Sequence, residues 1–289
     1  MNTSTGLGNL LHMRWSRNNT VNLLIYVALA LVLVFYLYPF WWIIGGSLKT
    51  NREFFSTPLN LIPAQAQWQN YITAWNKAHF GNYFLNTVIV TSGVVLGTVI
   101  FASMAGYALG RANFPGRGLL QAMIVITMFL PAGYTIIPTF EIMLKLGLTN
   151  TLWALIILGV AGPMGFYTFL YWGFFSTLPK EMEEAAVVDG ANGWQVYFYI
   201  MLPLAAPMTG TVALLSFLAS WNDFFTPLIF TLGKPELRTM AVGMFAFIGE
   251  NSTDWTPMLA ATIITLLPVI IVFLFLQRYI IEAVAGAIK

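Results

Sequence analysis

The 289-residue sequence is 58% hydrophobic and only 8% charged, against about 25% charge in an average globular chain. A soluble fold is thereby excluded, and a chain that crosses a membrane several times is implied. The net charge of +2 comes from basic residues scattered along the chain, which argues against nucleic acid as a partner, and with no cysteine and two isolated histidines, His12 and His79, neither a disulfide nor a metal site is supported.

Residues 1–20 are polar, with Arg14 and Arg17 just before an apolar run from Val21 to about Trp42. About 20 apolar residues cross a bilayer, so this run is long enough. No A-x-A-like cleavage site follows it, and the run reads as a retained anchor helix. Further apolar runs give six expected spans in all, at about 21–46, 85–110, 118–142, 152–176, 204–230 and 257–277. The runs exceed the roughly 9–11 residues of a barrel strand and do not alternate strictly, so helices are expected. The fold class is therefore all-α, a polytopic membrane protein with six transmembrane helices in one domain over residues 1–289. An even number of spans places both termini on one side. Lys and Arg divide almost evenly between the two sets of connections, with a slight lean towards an inner N-terminus.

The first connection, 47–84, is the longest, and a short helix is expected around Gln67–Asn76. In the second span Thr98, Ala102, Gly106 and Gly110 recur at four-residue spacing, a small-residue stripe that permits close helix contact. Pro131, Pro138, Pro163, Pro207, Pro227 and Pro268 lie in or beside spans and are expected to kink them. Trp221, Asn222 and Asp223 lie towards the outer half of the fifth span. An ionisable group at that depth is a functional candidate: Asp223 offers an acceptor to hydroxyl groups and Trp221 a stacking face. An interhelical hydrogen bond or a contact with the outer loops is the equally open alternative. Tyr134 and Glu141 in the third span are further candidates for a substrate pathway.

The connection 177–203 contains EEAAVVDGANGWQVYFYIMLP from Glu183 to Pro203. A helix is expected to run from Pro179 to Asp189 and stop at Gly190, a natural C′ residue. Met182, Ala185, Ala186 and Asp189 then share one face, and the small alanines permit close approach of another surface. A second helix is expected after Asn192, through Trp194 and Tyr197 to Leu202, with Pro203 opening the turn into the fifth span. A short isolated helix is marginal in water, and the acidic residues Glu181, Glu183, Glu184 and Asp189 outnumber Lys180, which disfavours the membrane surface as support. A protein partner fits better, with a plain interfacial loop as the alternative.

The pattern Glu184-Ala185-Ala186, then Gly190, then Ile200 and Leu202-Pro203, resembles the cytoplasmic signature loop of permease subunits in bacterial ATP-binding-cassette importers. Tyr107 to Arg111, Phe114 to Arg117, Leu146 to Thr151, and the end from Gln277 to Ile280 and Ala285 to Lys289 are similar to carbohydrate permeases of the maltose-permease G type, a resemblance over roughly 30–289. Glu282 and Gly110 depart from what is usual there. The resemblance implies a type I importer permease architecture in the bacterial inner membrane, with both termini and the 177–203 loop cytoplasmic. It also implies a second homologous permease subunit in a heterodimer, two ATPase subunits that bind ATP and Mg, and an extracytoplasmic solute-binding protein. Glu183, Glu184, Ala185, Ala186, Asp189, Gly190, Leu202 and Pro203 would couple to the ATPase subunit. The tail, Gly286, Ala287, Ile288 and Lys289, would reach the ATPase subunits, unless it is merely a frayed end. The implied cargo is a carbohydrate, with a polyol, glycerol phosphate or acidic oligosaccharide as alternatives on the same machinery. A nucleotide site on this chain would need G-x-x-x-x-G-K-[ST], and the only Gly-Lys step, Gly233-Lys234, lacks the earlier glycine and precedes Pro235. The chain is expected not to be an enzyme by itself and to hold no cofactor. An autonomous secondary transporter would need an inverted repeat or an ion relay, and neither is visible.

Overall fold

A backbone in lipid must satisfy its own polar groups, which leaves helices as the solution for long apolar runs. The computed structural model describes residues 19–130, 133, 135–248 and 253–287. Among these the regular structure is helical, with one isolated bridge between Ile248 and Thr253. In chain order the helices are α1 (Asn19–Ser47), α2 (Asn51–Ser56), α3 (Gln69–Asn76), α4 (Phe80–Arg111), α5 (Arg117–Thr127), α6 (Ile136–Lys145), α7 (Leu152–Ala161) and α8 (Met164–Thr177). They continue with α9 (Glu181–Val188), α10 (Gly193–Val196), a π-helical turn (Tyr197–Met201), α11 (Leu202–Leu204), α12 (Ala206–Trp221), α13 (Phe225–Phe230), α14 (Met240–Gly243) and α15 (Trp255–Ala287). The short helix expected around 67–76 is α3.

Helices α1, α4 and α15 are each long and apolar enough to cross a membrane, and α7 with α8 forms a pair bent by 46°. The bend falls at Gly162-Pro163, where proline has no N–H to continue the ladder. Two further expected runs are not continuous helices. The 118–142 run divides into α5 and α6, with Gly133 at φ +88° between them, and Tyr134 lies outside the described residues. The 204–230 run breaks between α12 and α13, at Asn222 to Phe224. The last helix is longer than expected: α15 continues past 277 to Ala287, taking in Gly286. Ile288 and Lys289 lie outside the described residues.

Helix α4 is the centre of the packing, against α7, α8 and α12, while α1 lies at the edge against α15. The small-residue stripe explains the closeness. Ala102 is fully buried, and a Cβ on Gly106 would lie 2.4 Å from Tyr171 Cβ and 2.8 Å from the backbone nitrogen of Trp172. The backbones of α4 and α8 approach as only glycine allows.

The connections gather at two ends. At one, the 47–84 and 231–256 segments interlock through the pairing of Lys77 with Asp254, and Asn86 in the first turns of α4 holds the second segment by donating from Nδ2 to the carbonyls of Glu236 and Arg238 at 2.8 and 3.1 Å. The turn before α7 joins them, since Gly233 N donates to Asn150 Oδ1 at 2.8 Å. At the other end lie the 111–117 turn and the 177–203 loop. There Arg117 closes the end of α4 by donating to the Leu109 and Gly110 carbonyls at 2.8 and 3.2 Å.

Candidate functional site

The 177–203 loop is two helices joined by a tightly specified turn. The end of α9 is a Schellman motif: Ala191 N donates to Ala186 O at 2.9 Å and Gly190 N to Val187 O at 3.0 Å, with Gly190 at φ +89°. Two residues on, Asn192 and Gln195 form a reciprocal capping box that starts α10, with bonds of 3.0 and 2.8 Å. The helix then widens into the π turn, where Leu202 N donates to Tyr197 O. This wider turn accommodates Pro203, which has no N–H and whose ring crowds the preceding turn. The chain turns into α12 at Ala205, two residues beyond the expected corner, and the helical stretch 193–204 meets α12 at 75°.

The loop is anchored on α4 at both ends. Arg111, the last residue of α4, is nearly buried and donates from Nε to Glu183 Oε1 at 2.9 Å, from Nη1 to Leu178 O at 2.7 Å and from Nη2 to Pro179 O at 3.2 Å. Further along, the Tyr197 hydroxyl lies 2.6 Å from Ser103 Oγ in the core. Burial pushes the Tyr197 phenol above its ordinary range, and the Ser103 hydrogen bond offsets this in part. Ala186, Val196, Met201 and Ala205 pack with Ala102, Tyr171 and Phe175 of α4 and α8.

These contacts divide the expected coupling residues. Glu184, Ala185, Asp189, Gly190 and Pro203 are exposed, and Leu202 is half-buried. Glu183 and Ala186 differ from expectation: Glu183 turns inward to Arg111, and Ala186 packs into the protein's own core. The expected face of Met182, Ala185, Ala186 and Asp189 is therefore not one outward surface. The outward surface is more apolar than the acidic sequence suggests, with Val188 86%, Tyr199 78% and Trp194 62% exposed, and Trp194 stacked on Phe198. Sequence reasoning missed this face because WQVYFY looks like core; the Asn192–Gln195 cap, which sets the phase of the helix, is the signal that could have found it.

The second candidate region is a cavity of about 230 Å³ beside the breaks in α7–α8 and α12–α13. Asp223 lines it together with Tyr167, Ser216, Ser220 and Thr226, against an apolar wall that includes Val90, Val94 and Leu155. Asp223 Oδ1 accepts from Thr226 N at 3.2 Å, so the carboxylate caps the start of α13 while facing the cavity. Trp221 is not available for stacking: it is buried, donates from Nε1 to Thr265 O at 3.1 Å and stacks on Phe217. Asn222 is exposed and bonds back to Leu218 O at 2.8 Å, and Glu141 is exposed on α6 away from the cavity lining. Among the described candidates the structure thus brings Asp223 alone to the cavity. Among the described residues no cluster of His, Cys, Asp and Glu could hold a metal ion.

Residues 99–285 match the family described as binding-protein-dependent transport system inner membrane component. The probable ABC transporter permease protein YurM of Bacillus subtilis is 34% identical over 266 residues, covering 92% of this chain and 88% of that protein. The melibiose/raffinose/stachyose import permease protein MelC of the same organism is 33% identical over 279 residues, covering 96% of this chain and 100% of MelC. The diacetylchitobiose uptake system permease protein NgcG of Streptomyces coelicolor is 34% identical over 248 residues, covering 86% and 82%. In structure, the chain is similar to one from a bacterial ABC transporter involved in the import of the acidic polysaccharide alginate, with TM-score 0.79 and 24% identity over 92% of this chain and 99% of that one. That likeness shows the fold, and the sequence matches show the family. The chain belongs to the binding-protein-dependent transport system inner membrane components, and is a multi-pass permease subunit of an ABC importer.

Proposed function

We infer that the chain forms half of the translocation pathway of an ATP-driven carbohydrate importer and receives the drive from an ATPase subunit through the 177–203 loop. The observation that carries this reading is the loop itself. A doubly capped helix–turn–helix, fixed to α4, presents Val188, Trp194 and Tyr199 to the outside. Such an exposed apolar face needs a partner. In this reading the loop and both termini are cytoplasmic, six spans cross the membrane with α5–α6 as the interrupted third, and the end of α15 lies beside the ATPase subunits. The remaining partners are a second, homologous permease subunit, two ATPase subunits that bind ATP and Mg, and an extracytoplasmic solute-binding protein. The substrates after which MelC and NgcG are named, melibiose, raffinose and stachyose for the one and diacetylchitobiose for the other, are sugars and favour a carbohydrate as cargo.

The test is to reconstitute the chain with its co-purifying subunits in vesicles and measure ATP hydrolysis and solute uptake. Hydrolysis stimulated by a sugar-loaded binding protein is expected. Uptake driven by an ion gradient with no ATPase present would overturn the reading.

Among the described residues Asp223 is the one carboxylate lining the cavity, and in this reading it accepts hydrogen bonds from sugar hydroxyls on their way through. Asp223→Asn keeps an oxygen to accept from Thr226 N but removes the charge, so the α13 cap survives. Maximal uptake is expected to fall roughly tenfold, the weight of one hydrogen bond to a charged group, while basal hydrolysis stays unchanged. Full uptake by Asp223→Asn would remove the cavity from the pathway.

A further inference from the structure

Resting on the reading of the 177–203 loop as the coupling element, we propose that Arg111 is the positioning residue that makes this loop a rigid extension of α4, so that thrust on the loop reaches the pore helices. Helix α8 ends at Thr177 and α9 begins at Glu181. The link between them, Leu178-Pro179-Lys180, would be a hinge if left to itself. The last carbonyls of a helix have no partners within it. Here one side chain from a third helix binds the carbonyls of the helix end and of the link: Arg111 Nη1 donates to Leu178 O at 2.7 Å and, at 3.4 Å, to Phe175 O, which also accepts from Leu178 N, and Nη2 donates to Pro179 O at 3.2 Å.

The same guanidinium crosses the hinge. Its Nε donates to Glu183 Oε1 at 2.9 Å, in the first turn of α9. The planar fork of arginine suits this task, since its donors are fixed relative to one another and a lysine offers only a point charge. Its side chain is 5% exposed and that of Glu183 21%, so water competes poorly with the pair and the hinge is held shut. The loop's second helix is tied to the same α4 by the Tyr197–Ser103 hydrogen bond. Both halves of the loop therefore move with α4, which itself packs on α7, α8 and α12. The Glu183 carboxylate, a natural candidate for contact with a partner, serves instead to join the loop to the pore.

The experiment uses the reconstituted complex and its ratio of solute imported to ATP hydrolysed. For Arg111→Ala the ratio is expected to fall by roughly tenfold or more, on the scale of losing hydrogen bonds to a charged group, with hydrolysis retained. Arg111→Lys should recover part of it. The absence of cysteine in the native sequence permits a second measurement that requires no transport. Spin labels at Val188→Cys and Leu119→Cys, both exposed positions, should give a narrow distance distribution that broadens with Arg111→Ala. If Arg111→Ala does not assemble, Glu183→Ala leaves the carbonyl contacts in place and should broaden the same distribution by a smaller amount. An unchanged ratio together with an unbroadened distribution would overturn the proposal while leaving the loop's coupling role intact. Failure of the unmodified complex to couple hydrolysis to uptake would instead strike the underlying reading.

Discussion

Replacing Gly106 by valine is expected to abolish stable assembly of the α4–α8 pair. The Cβ alone would lie 2.4 Å from Tyr171 Cβ and 2.8 Å from Trp172 N, and the second of these is backbone, which cannot rotate away. Overpacking of a tight core costs about 1–3 kcal/mol, and a backbone obstacle together with two added methyls places valine at the upper end or beyond. Gly106→Ala makes the sharper test. In an ordinary helix interior this change gains roughly 0.8–1 kcal/mol, whereas here the sign should reverse. Thermal unfolding in detergent would show it: both variants melt below the native protein, valine furthest. A higher midpoint for Gly106→Ala would mean that the two helices are not in backbone contact.

Gly190→Val should separate hydrolysis from transport. Gly190 has φ +89° and nothing lies within 4 Å of where its Cβ would be, so a side chain meets no obstacle and the whole cost is in the backbone. A β-branched residue in that conformation costs on the order of 1–3 kcal/mol. The Schellman turn opens, the Ala191–Ala186 bond is lost, and Val188 and Trp194 no longer present one surface. Within the coupling reading, uptake should collapse while the pore helices still assemble. Gly190→Asn, which tolerates the left-handed region better, should retain much of the native uptake. Equal uptake by the valine and native proteins would argue against the loop's coupling role.

The loop's local structure was legible because its signals are local. Gly190 and the Asn192–Gln195 pair sit a few residues from the ends they define, and Pro163 announces its own bend. The existence of long apolar helices was equally legible, since length and composition decide it. What could not be read depends on long-range partners. Arg111 and Glu183 lie 72 positions apart, and only the packing of α4 on α8 brings them together. The periodicity grouped Ala185 with Ala186 on one face, yet Ala186 packs into the core and Ala185 is exposed, a division that spacing alone does not decide. Trp221 looked like a stacking face because a Trp-Asn-Asp step interrupts an apolar run. The indole is instead spent on Thr265 of α15 and Phe217, and the neighbouring Asp223 alone reaches the cavity.

The edge position of α1 bears on how the molecule is made. Apart from the adjacent α2, the helix it packs against most is α15, which leaves the ribosome only after every helix in between. During synthesis α1 therefore enters the bilayer before the helix it packs against has been made. Its described span carries no charged residue and is exposed to its surroundings along nearly its whole length. It is suited to that wait, because a helix without ionisable groups loses nothing by facing hydrocarbon. The remaining helices can settle around α4 in the meantime. Pairing of α1 with α15 is then a late step in the folding of this chain, and a chain interrupted before Trp255 would lack the helix on which α1 packs.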